Sequence, residues 1–501
     1  MTTPPNILIF MADQLAPHFT GAYGHPLVRT PNLDRLAARG ARFDAAYTGS
    51  PLCAPARFSF MAGQLPSAIG AWDNAAGFGT EIPTFAHHMA LAGYRTCLSG
   101  KMHFVGPDQL HGFHERLTTD IYPADHGWTP DWTHPEQRLG QWYHNMDSVL
   151  EAGPCATSVQ LEFDDEAGFL ARRRVYRFAA RKEQPFLMCL SLTHPHDPYE
   201  ARPEFWDLYD HDAIDMPNPD APDDPHGARI RRGIEADVTE VTEAHVRNAR
   251  RAYYANVSYV DDQLGQMIEV LERSGQLENT VIIFTADHGD MLGDRGHWYK
   301  MSFFERSARV PLVFAGPGVR PGVVSEPCSL IDLLPTLLDI AGEEPAAHDG
   351  PGRSLWNVAC GGAEDPEATT VAEYFGECSA DPMLMIRRGA TKYVHCEIDP
   401  PQLYDLAADP EERRNLAALP EHVGTVAAFA EEIAQRWDIA ALRNAVLTSQ
   451  KRRRLVHAAM DTGPRTAWDY QPRRDASEEY VRSHITWFDA ARASRWPPLG
   501  D

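Results

Sequence analysis

An α/β fold, built on a large, mainly parallel sheet sandwiched by helices, is predicted by two observations on the 501-residue chain. Short apolar strands alternate with helical segments over residues 5–341, as in sheets covered on both faces. Polar residues also follow directly after four of these strands: Asp13 after ILIFMA, Lys101 after TCLSG, His194 after LSLT, and Asp287-His288 after VIIFTA. Ligands in open sheets bind beyond the carboxyl ends of the strands, so these four ends are expected to converge on one rim.

Residues 5–12 (PNILIFMA) read as a fully buried strand. Thr30-Pro31 opens a helix with proline in its first turn, and Gly40 lies just past its end. Ile82–Leu91 reads as a second helix, stopped near Gly93, and Tyr94–Ser99, Pro185–Thr193 and Thr280–Ala286 read as strands. In Glu243–Gly275 the residues Tyr254, Val257, Val260, Leu264, Met267, Ile268 and Leu271 recur at three- and four-residue spacing, which predicts a long helix. Val310–Ala315 follows as a strand and Leu330–Ala341 as a helix.

Two composition shifts divide the chain. Residues 207–240, rich in Pro, Asp and Gly, look like a surface insertion; residues 342–368, rich in Gly, Ala, Glu and Pro, look like a linker. Beyond the linker, Met383–Arg387, Lys392–Cys396 and Gln402–Leu406 predict a small antiparallel sheet, with a helix near 420–437. The expected organisation is a large α/β domain over 1–365 and a C-terminal subdomain over 366–501, ending in a basic, aromatic tail from about residue 450.

The formal net charge of −24 argues against nucleic acid or an anionic membrane as partner, and requires local positive charge if the substrate is an anion. No apolar run approaches the roughly 20 residues of a membrane span. The apolar run Ile7–Ala12 lacks a basic flank and ends at Asp13, so it reads as a strand rather than a leader, and a cytoplasmic protein is expected. The eight cysteines form no CxxC pair and are too scattered for a disulfide scaffold. Most sit in apolar settings, as Cys189 does in PFLMCLSL, and read as small buried hydrophobes.

Cys53 is the exception. Cys53-Ala54-Pro55-Ala56-Arg57 reads C-x-P-x-R; it follows the strand ending in Asp13 and precedes Gly100-Lys101-Met102-His103 and, later, Asp287-His288-Gly289. In this order the motifs resemble the type I, formylglycine-dependent sulfatases of the alkaline-phosphatase-like superfamily, over most of residues 5–340. The resemblance implies that a formylglycine-generating enzyme converts Cys53 to an aldehyde, whose hydrate attacks sulfur with one hydroxyl and expels sulfate with the other. It implies a divalent metal held by Asp13, Asp287, His288 and the modified Cys53, with Ca²⁺ favoured and Mg²⁺ or Mn²⁺ as alternatives. Asp13-Gln14 and Asp287-His288 depart from the commoner Asp-Asp and Asp-Asn pairs. Both variants are similar to the branch holding choline-sulfatases and phosphonate monoester hydrolases, and they make Gln14 an additional candidate ligand. By the same resemblance Arg57 and Lys101 orient the formylglycine diol, and His103 takes a proton when sulfate leaves. His194, in THPHDPY, and Lys300, in WYKM, contact sulfate and protonate the leaving oxygen. His196 and Asp197 are weaker candidates.

Around Trp128, in Gln141–Asp147 and in the tail stretches SQKRRRLV, AWDYQP and DASEEYVRSH, the chain resembles choline-sulfatases. That implies a pocket for a trimethylammonium group, with Trp128, His144 and Asn145 as candidates and Asn74 behind them, each cation–aromatic contact contributing about 0.5–2 kcal/mol. It also implies a homo-oligomer, dimer or tetramer, joined through the tail. His297, in RGHWYK, stands where an apolar residue is usual, and the ending SRWPPLGD is unlike the family's. The run Lys451–Arg454 reads as an oligomer contact or a solvated helix face rather than a nucleic-acid contact. The alternatives are a phosphonate monoester, phosphodiester or aryl sulfate hydrolase of the same superfamily, and a catalytically silent sulfate-binding protein with unmodified Cys53.

Overall fold

Eight strands form the main sheet: β1 (Asn6–Asp13), β2 (Ala41–Phe43), β3 (Arg95–Gly100), β4 (Glu115–Arg116), β5 (Phe186–Pro195), β6 (Thr280–Ala286), β7 (Leu312–Ala315) and β8 (Gly322–Val324). The computed structural model describes residues 4–135, 137–138, 144–180, 184–220, 224–344, 350–464, 467–473, 485–493 and 495–497. The Gln141-Trp142-Tyr143 stretch, DASEEYVRSH and the last four residues lie outside the described residues. The strand order is β8-β2-β7-β6-β1-β5-β3-β4. Seven of the eight run the same way and β7 is reversed. β1 lies between β5 and β6, and all eight of its residues are buried, which is why it reads as an unbroken apolar run.

Helices α1 (Pro31–Ala38), α2 (Cys53–Ala62), α3 (Phe85–Leu91), α4 (Val159–Ala180), α5 (Pro225–Gly233), α6 (Glu243–Arg273) and α7 (Leu333–Ala341) cover the sheet or its rim. α4 and α6 pack on β5. α2 lies across the other face, where its Arg57 reaches Ser191 of β5. Every residue of α2 is buried, and the helix ends on Gly63 at φ 62°, the left-handed position that glycine takes without strain. α3 starts later than its periodicity suggests, because the Thr84 side chain caps it in a capping box with His87. Within the Pro-, Asp- and Gly-rich stretch 207–240, α5 buries His226, Gly227 and Ile230.

The second sheet is antiparallel, in the order β9 (Thr369–Tyr374), β10 (Met383–Arg388), β11 (Thr391–Cys396) and β12 (Gln402–Asp405). α8 (Val423–Arg436) closes it with Phe429 and Ile433, packed with Trp437 against Val371, Leu384, Ile386, Tyr393 and Leu403. Each such large apolar side chain contributes about 1.5–3 kcal/mol on burial. α9 (Ile439–Met460) follows, a 22-residue helix in a stretch whose composition announced only basic charge.

Candidate active site

The site starts where β1 and β6 end. These strands pair in parallel from Asn6–Thr280 to Ala12–Ala286, so Asp13 and the Asp287-His288 pair leave the sheet side by side. Cys53 opens α2 at the same rim. One ligand atom from each of Asp13, Cys53, Asp287 and His288 lies within 4.8 Å of the others, and all four residues are buried. His288 Nε2 is 3.2 Å from Cys53 Sγ.

Arg57, one turn into α2, binds the two carboxylates together. Its Nε donates to Asp287 Oδ2 at 2.8 Å and its Nη2 to Asp13 Oδ2 at 2.9 Å, while Nη1 holds the Lys101 carbonyl and the Ser191 hydroxyl. Burial alone would raise the Asp13 carboxyl, but Lys101, His196 and Arg57 outweigh it and hold it well below the usual carboxylate range. Burial lowers the His288 imidazole to about 4 against the pull of Asp287, which leaves it neutral and able to ligate. Among the described residues Asp13 Oδ1 is buried without a hydrogen-bond partner, an arrangement that a bound cation would satisfy. Two carboxylates, a neutral imidazole and the side chain at position 53 therefore fit a divalent ion.

Cations ring this cluster. Lys101 pairs with Asp13, its Nζ 4.1 Å from the centre of the Tyr122 ring. Lys300 Nζ donates to Gln14 Oε1 at 2.6 Å and lies 2.8 Å from His196 Nε2. Burial would lower Lys300, but Cys53, Asp197 and Asp13 raise it above its ordinary value, so it stays an ammonium. Gln14, a candidate metal ligand, directs its amide oxygen at Lys300 and its amide nitrogen at Asp197 and Asp290. His103 takes a positive φ of 60°, fixed by Asp120, which accepts from the Met102 and His103 amides. Its ring is buried, and burial lowers its pKa against the opposing Cys53 thiol.

His194 is not where it was expected. Its Nδ1 lies 2.7 Å from Asp164 Oδ2 of α4, and its ring packs edge-on to Tyr259 of α6. Asp164 also accepts from the Thr193 and His194 amides, so α4 holds this end of β5 together with the His194 ring. The chain leaves β5 at Pro195, and His196 turns to Lys300. Burial, reinforced by Lys300, holds His196 neutral, well below its ordinary value.

The pocket candidates border this centre. Asn74 Oδ1 accepts from the Ala54 amide at 2.9 Å, one residue from Cys53. Trp128 meets Tyr122 and His103 edge-on, at 5.2 and 5.9 Å between ring centres. His144 stacks on Tyr299 at 4.5 Å and on His196 at 5.6 Å, and the Asn145 carbonyl accepts the Tyr299 hydroxyl. Sequence reasoning missed Tyr122, Ser191 and above all Glu377. Among the described residues neither carboxyl oxygen of Glu377 has a side-chain partner, and burial, with Asp73 adding, pushes it up to about 8. Its lone place in YFGECSA carries no local signal.

Residues 5–343 match the family model described as Sulfatase. The chain belongs to the sulfatase family. The sulfatase is thus an enzyme that hydrolyses sulfate esters, on the alkaline-phosphatase-like fold. Its residues 444–496 also match the model described as choline sulfatase enzyme C terminal, and residues 293–438 match that of the N-sulphoglucosamine sulphohydrolase C-terminal region. It is 48% identical to the choline-sulfatase of Rhizobium meliloti (strain 1021) over 511 aligned residues, 99% of each chain. It is 29% identical to arylsulfatase K of Danio rerio, covering 81% of this chain and 79% of that one. The phosphonate monoester hydrolase of Agrobacterium radiobacter superposes with a TM-score of 0.69 at 24% identity, over 88% of this chain and 96% of that one, a likeness of fold.

Proposed function

We propose that the enzyme hydrolyses choline sulfate to choline and sulfate. The observation that carries this reading is the identity to the Rhizobium meliloti choline-sulfatase, which runs over 99% of both chains and so through the tail as well as the catalytic rim.

Asp13, Asp287 and His288 would hold Ca²⁺, with Mg²⁺ or Mn²⁺ as alternatives, beside a formylglycine made from Cys53 by a formylglycine-generating enzyme. When present, the ion and the hydrated aldehyde supply an electrophile for the sulfate oxygens and an oxygen nucleophile for sulfur. The protein's own groups do the rest. Arg57 keeps the two carboxylates facing the ion. Lys101, Lys300 and His196 face the sulfate, His196 taking the place first read for His194. An ammonium has three N–H bonds, and Lys300 uses two of its own on Gln14 and His196, which leaves one for the leaving alkoxide oxygen. His103, neutral and beside Cys53, accepts the proton when sulfate departs. Trp128, His144, Asn145 and Asn74 border the trimethylammonium group, with the Glu377 carboxyl as its countercharge.

Eight cysteines, all free, suit a reducing compartment, in keeping with a cytoplasmic enzyme. No helix among the described residues is long and apolar enough to cross a membrane. The helix Trp487–Ala493 leaves Trp487 and Phe488 71% and 72% exposed, which supports a homo-oligomer joined through the tail.

The test is a side-by-side rate measurement on choline sulfate, an aryl sulfate and a phosphonate monoester, using purified, metal-analysed enzyme. Preference for the phosphonate would reverse the reading. Cys53→Ala is expected to abolish turnover without lowering Tm. Peptide mass spectrometry of active enzyme should find position 53 as aldehyde; free thiol alone would refute the nucleophile.

A further inference from the structure

Within Lys451–Arg454, Lys451 and Arg452 of α9 are exposed, as expected of a solvated helix face, but Arg453 belongs to a stripe that turns inward. Val446, Gln450 and Arg453 recur at four- and three-residue spacing, so they share one helix face, and they are the buried residues of α9. Each side chain reaches a different segment. Arg453, 6% exposed, grips Asp73 with both terminal nitrogens at 2.6 Å, and its Nη1 also donates to Thr129 Oγ1 at 3.2 Å. Gln450 Oε1 accepts from the Trp132 amide at 3.0 Å. Trp132 passes the contact on, its indole N–H donating to the Gly376 carbonyl at 3.2 Å. Val446 packs on Trp132 and Phe375.

The three segments carry Asn74, Trp128 and Glu377, the residues proposed above as walls of the choline pocket. Asp73 precedes Asn74, which holds the Ala54 amide beside Cys53. Thr129 follows Trp128. Gly376 precedes Glu377. The stripe lies behind these walls, and Arg453 bridges two of them at once.

We propose that Arg453 is the positioning residue that makes the enzyme selective for a cationic sulfate ester. It sets the separation of the Asn74 and Trp128 segments, while Gln450 and Val446 hold the Glu377 segment to the same helix. This rests on the choline-pocket reading above and gives the choline-sulfatase-like C-terminal region a physical task. The grip depends on the planar guanidinium, because a lysine presents one point charge and cannot span both Asp73 oxygens and Thr129.

The test compares kcat and KM on choline sulfate and on 4-nitrophenyl sulfate, which carries no cation. Full-length, metal-loaded Arg453→Lys, Thr129→Val and Trp128→Ala are measured with their Tm values. Arg453→Lys is expected to raise KM for choline sulfate about tenfold or more, with kcat and the aryl sulfate constants changed less than about threefold, the pattern of lost ground-state binding. Thr129→Val removes one arm of the bridge, leaves the Asp73 ion pair, and should give a smaller shift of the same kind. Equal losses on both substrates, or no loss on either, would overturn the proposal. If Arg453→Lys does not fold, Thr129→Val decides by the same criterion. Trp128→Ala tells the two readings apart: if it fails to separate the substrates, the choline pocket is wrong; if it separates them and the bridge variants do not, only the role of Arg453 is wrong.

Discussion

Lys300 and His196 show how two neighbouring bases can keep opposite protonation states. Both lose solvation on burial, yet Lys300 faces Cys53 and the carboxylates of Asp197 and Asp13 and stays an ammonium, which in turn helps keep the imidazole 2.8 Å away neutral. His196→Ala should therefore lower kcat by about a hundredfold, the usual scale for losing a proton-transfer or charge-stabilising group. His194→Ala should act mainly on stability, through Asp164, and the reverse ranking in turnover assays would return His194 to the centre. Glu377 makes a pH prediction. Held up to about 8, it is protonated at neutral pH, and a trimethylammonium beside it favours the ionised form. Binding thus expels a proton and tightens as pH rises, so KM for choline sulfate should fall between about pH 6.5 and 8.5 while that for an aryl sulfate stays level. Glu377→Gln should flatten the trend. The same raised value means that folding holds a proton the unfolded chain releases above its ordinary 4.5, so this group's contribution to stability declines as pH climbs toward 8.

The segment carrying Lys300 is held in place from outside. Tyr299 and Met301 take φ of 67° and 75°, conformations that cost about 1–3 kcal/mol each in non-glycine residues. Four contacts hold them: Asp290 and the Met291 amide bind the Tyr299 backbone, and Pro51 and His226 bind that of Met301. His226 Nε2 lies 2.6 Å from the Met301 carbonyl and belongs to α5, inside the stretch that composition marked as surface insertion. His297 has a packing role here: a β-carbon at Gly227 would sit 2.5 Å from its ring, so glycine lets α5 close on it. Replacing His226 with Phe leaves a buried carbonyl unpaired, at about 1–3 kcal/mol. The expected result is a lower Tm together with turnover that falls more for an alkyl sulfate than for an aryl sulfate, whose leaving group needs less help from Lys300. Unchanged Tm and unchanged rates would show that the strained loop holds itself.

Across the whole molecule, a buried ionic knot ties the C-terminal antiparallel sheet to the segment around Glu305. Lys392 of β11 donates to the Phe303 carbonyl and to Glu305 at 2.7 and 2.8 Å, and pairs with Glu412 at 2.5 Å, while the Tyr47 hydroxyl closes on Glu305. Burial would raise Glu305, but Lys392 outweighs it and brings it to about 2, so this stabilisation is full above pH 4.5 and is lost only toward pH 2. Lys392→Met would deprive two buried carboxylates of their shared ammonium, at about 3–5 kcal/mol. Denaturant titration at neutral pH should show that loss, and a shift below about 1 kcal/mol would mean that the apolar cluster under α8 joins the parts by itself. The net charge of −24 poses the converse problem for an anionic ester, met locally by Arg57, Lys101 and Lys300 packed into one rim.

The sequence by itself determined the strand runs, their polar ends and the Cys53–Arg57 motif, because an apolar run or a C-x-P-x-R stretch is a local pattern. Thus Asp13, Lys101, Asp287 and His288 were legible at the rim, and the small antiparallel sheet at its place in the chain. It did not decide between the histidines of HPHDPY, because that turns on how β5 ends against α4 and α6, contacts made across long separations. Nor did it reveal Glu377 or the inward stripe of α9: a lone carboxyl and a helix face of Val, Gln and Arg carry no apolar period, and acquire meaning only when Asp73, Thr129 and Trp132 arrive from more than 300 residues earlier in the chain. Tertiary structure decided those, since the free energy of burying a polar group depends on the partner it meets there.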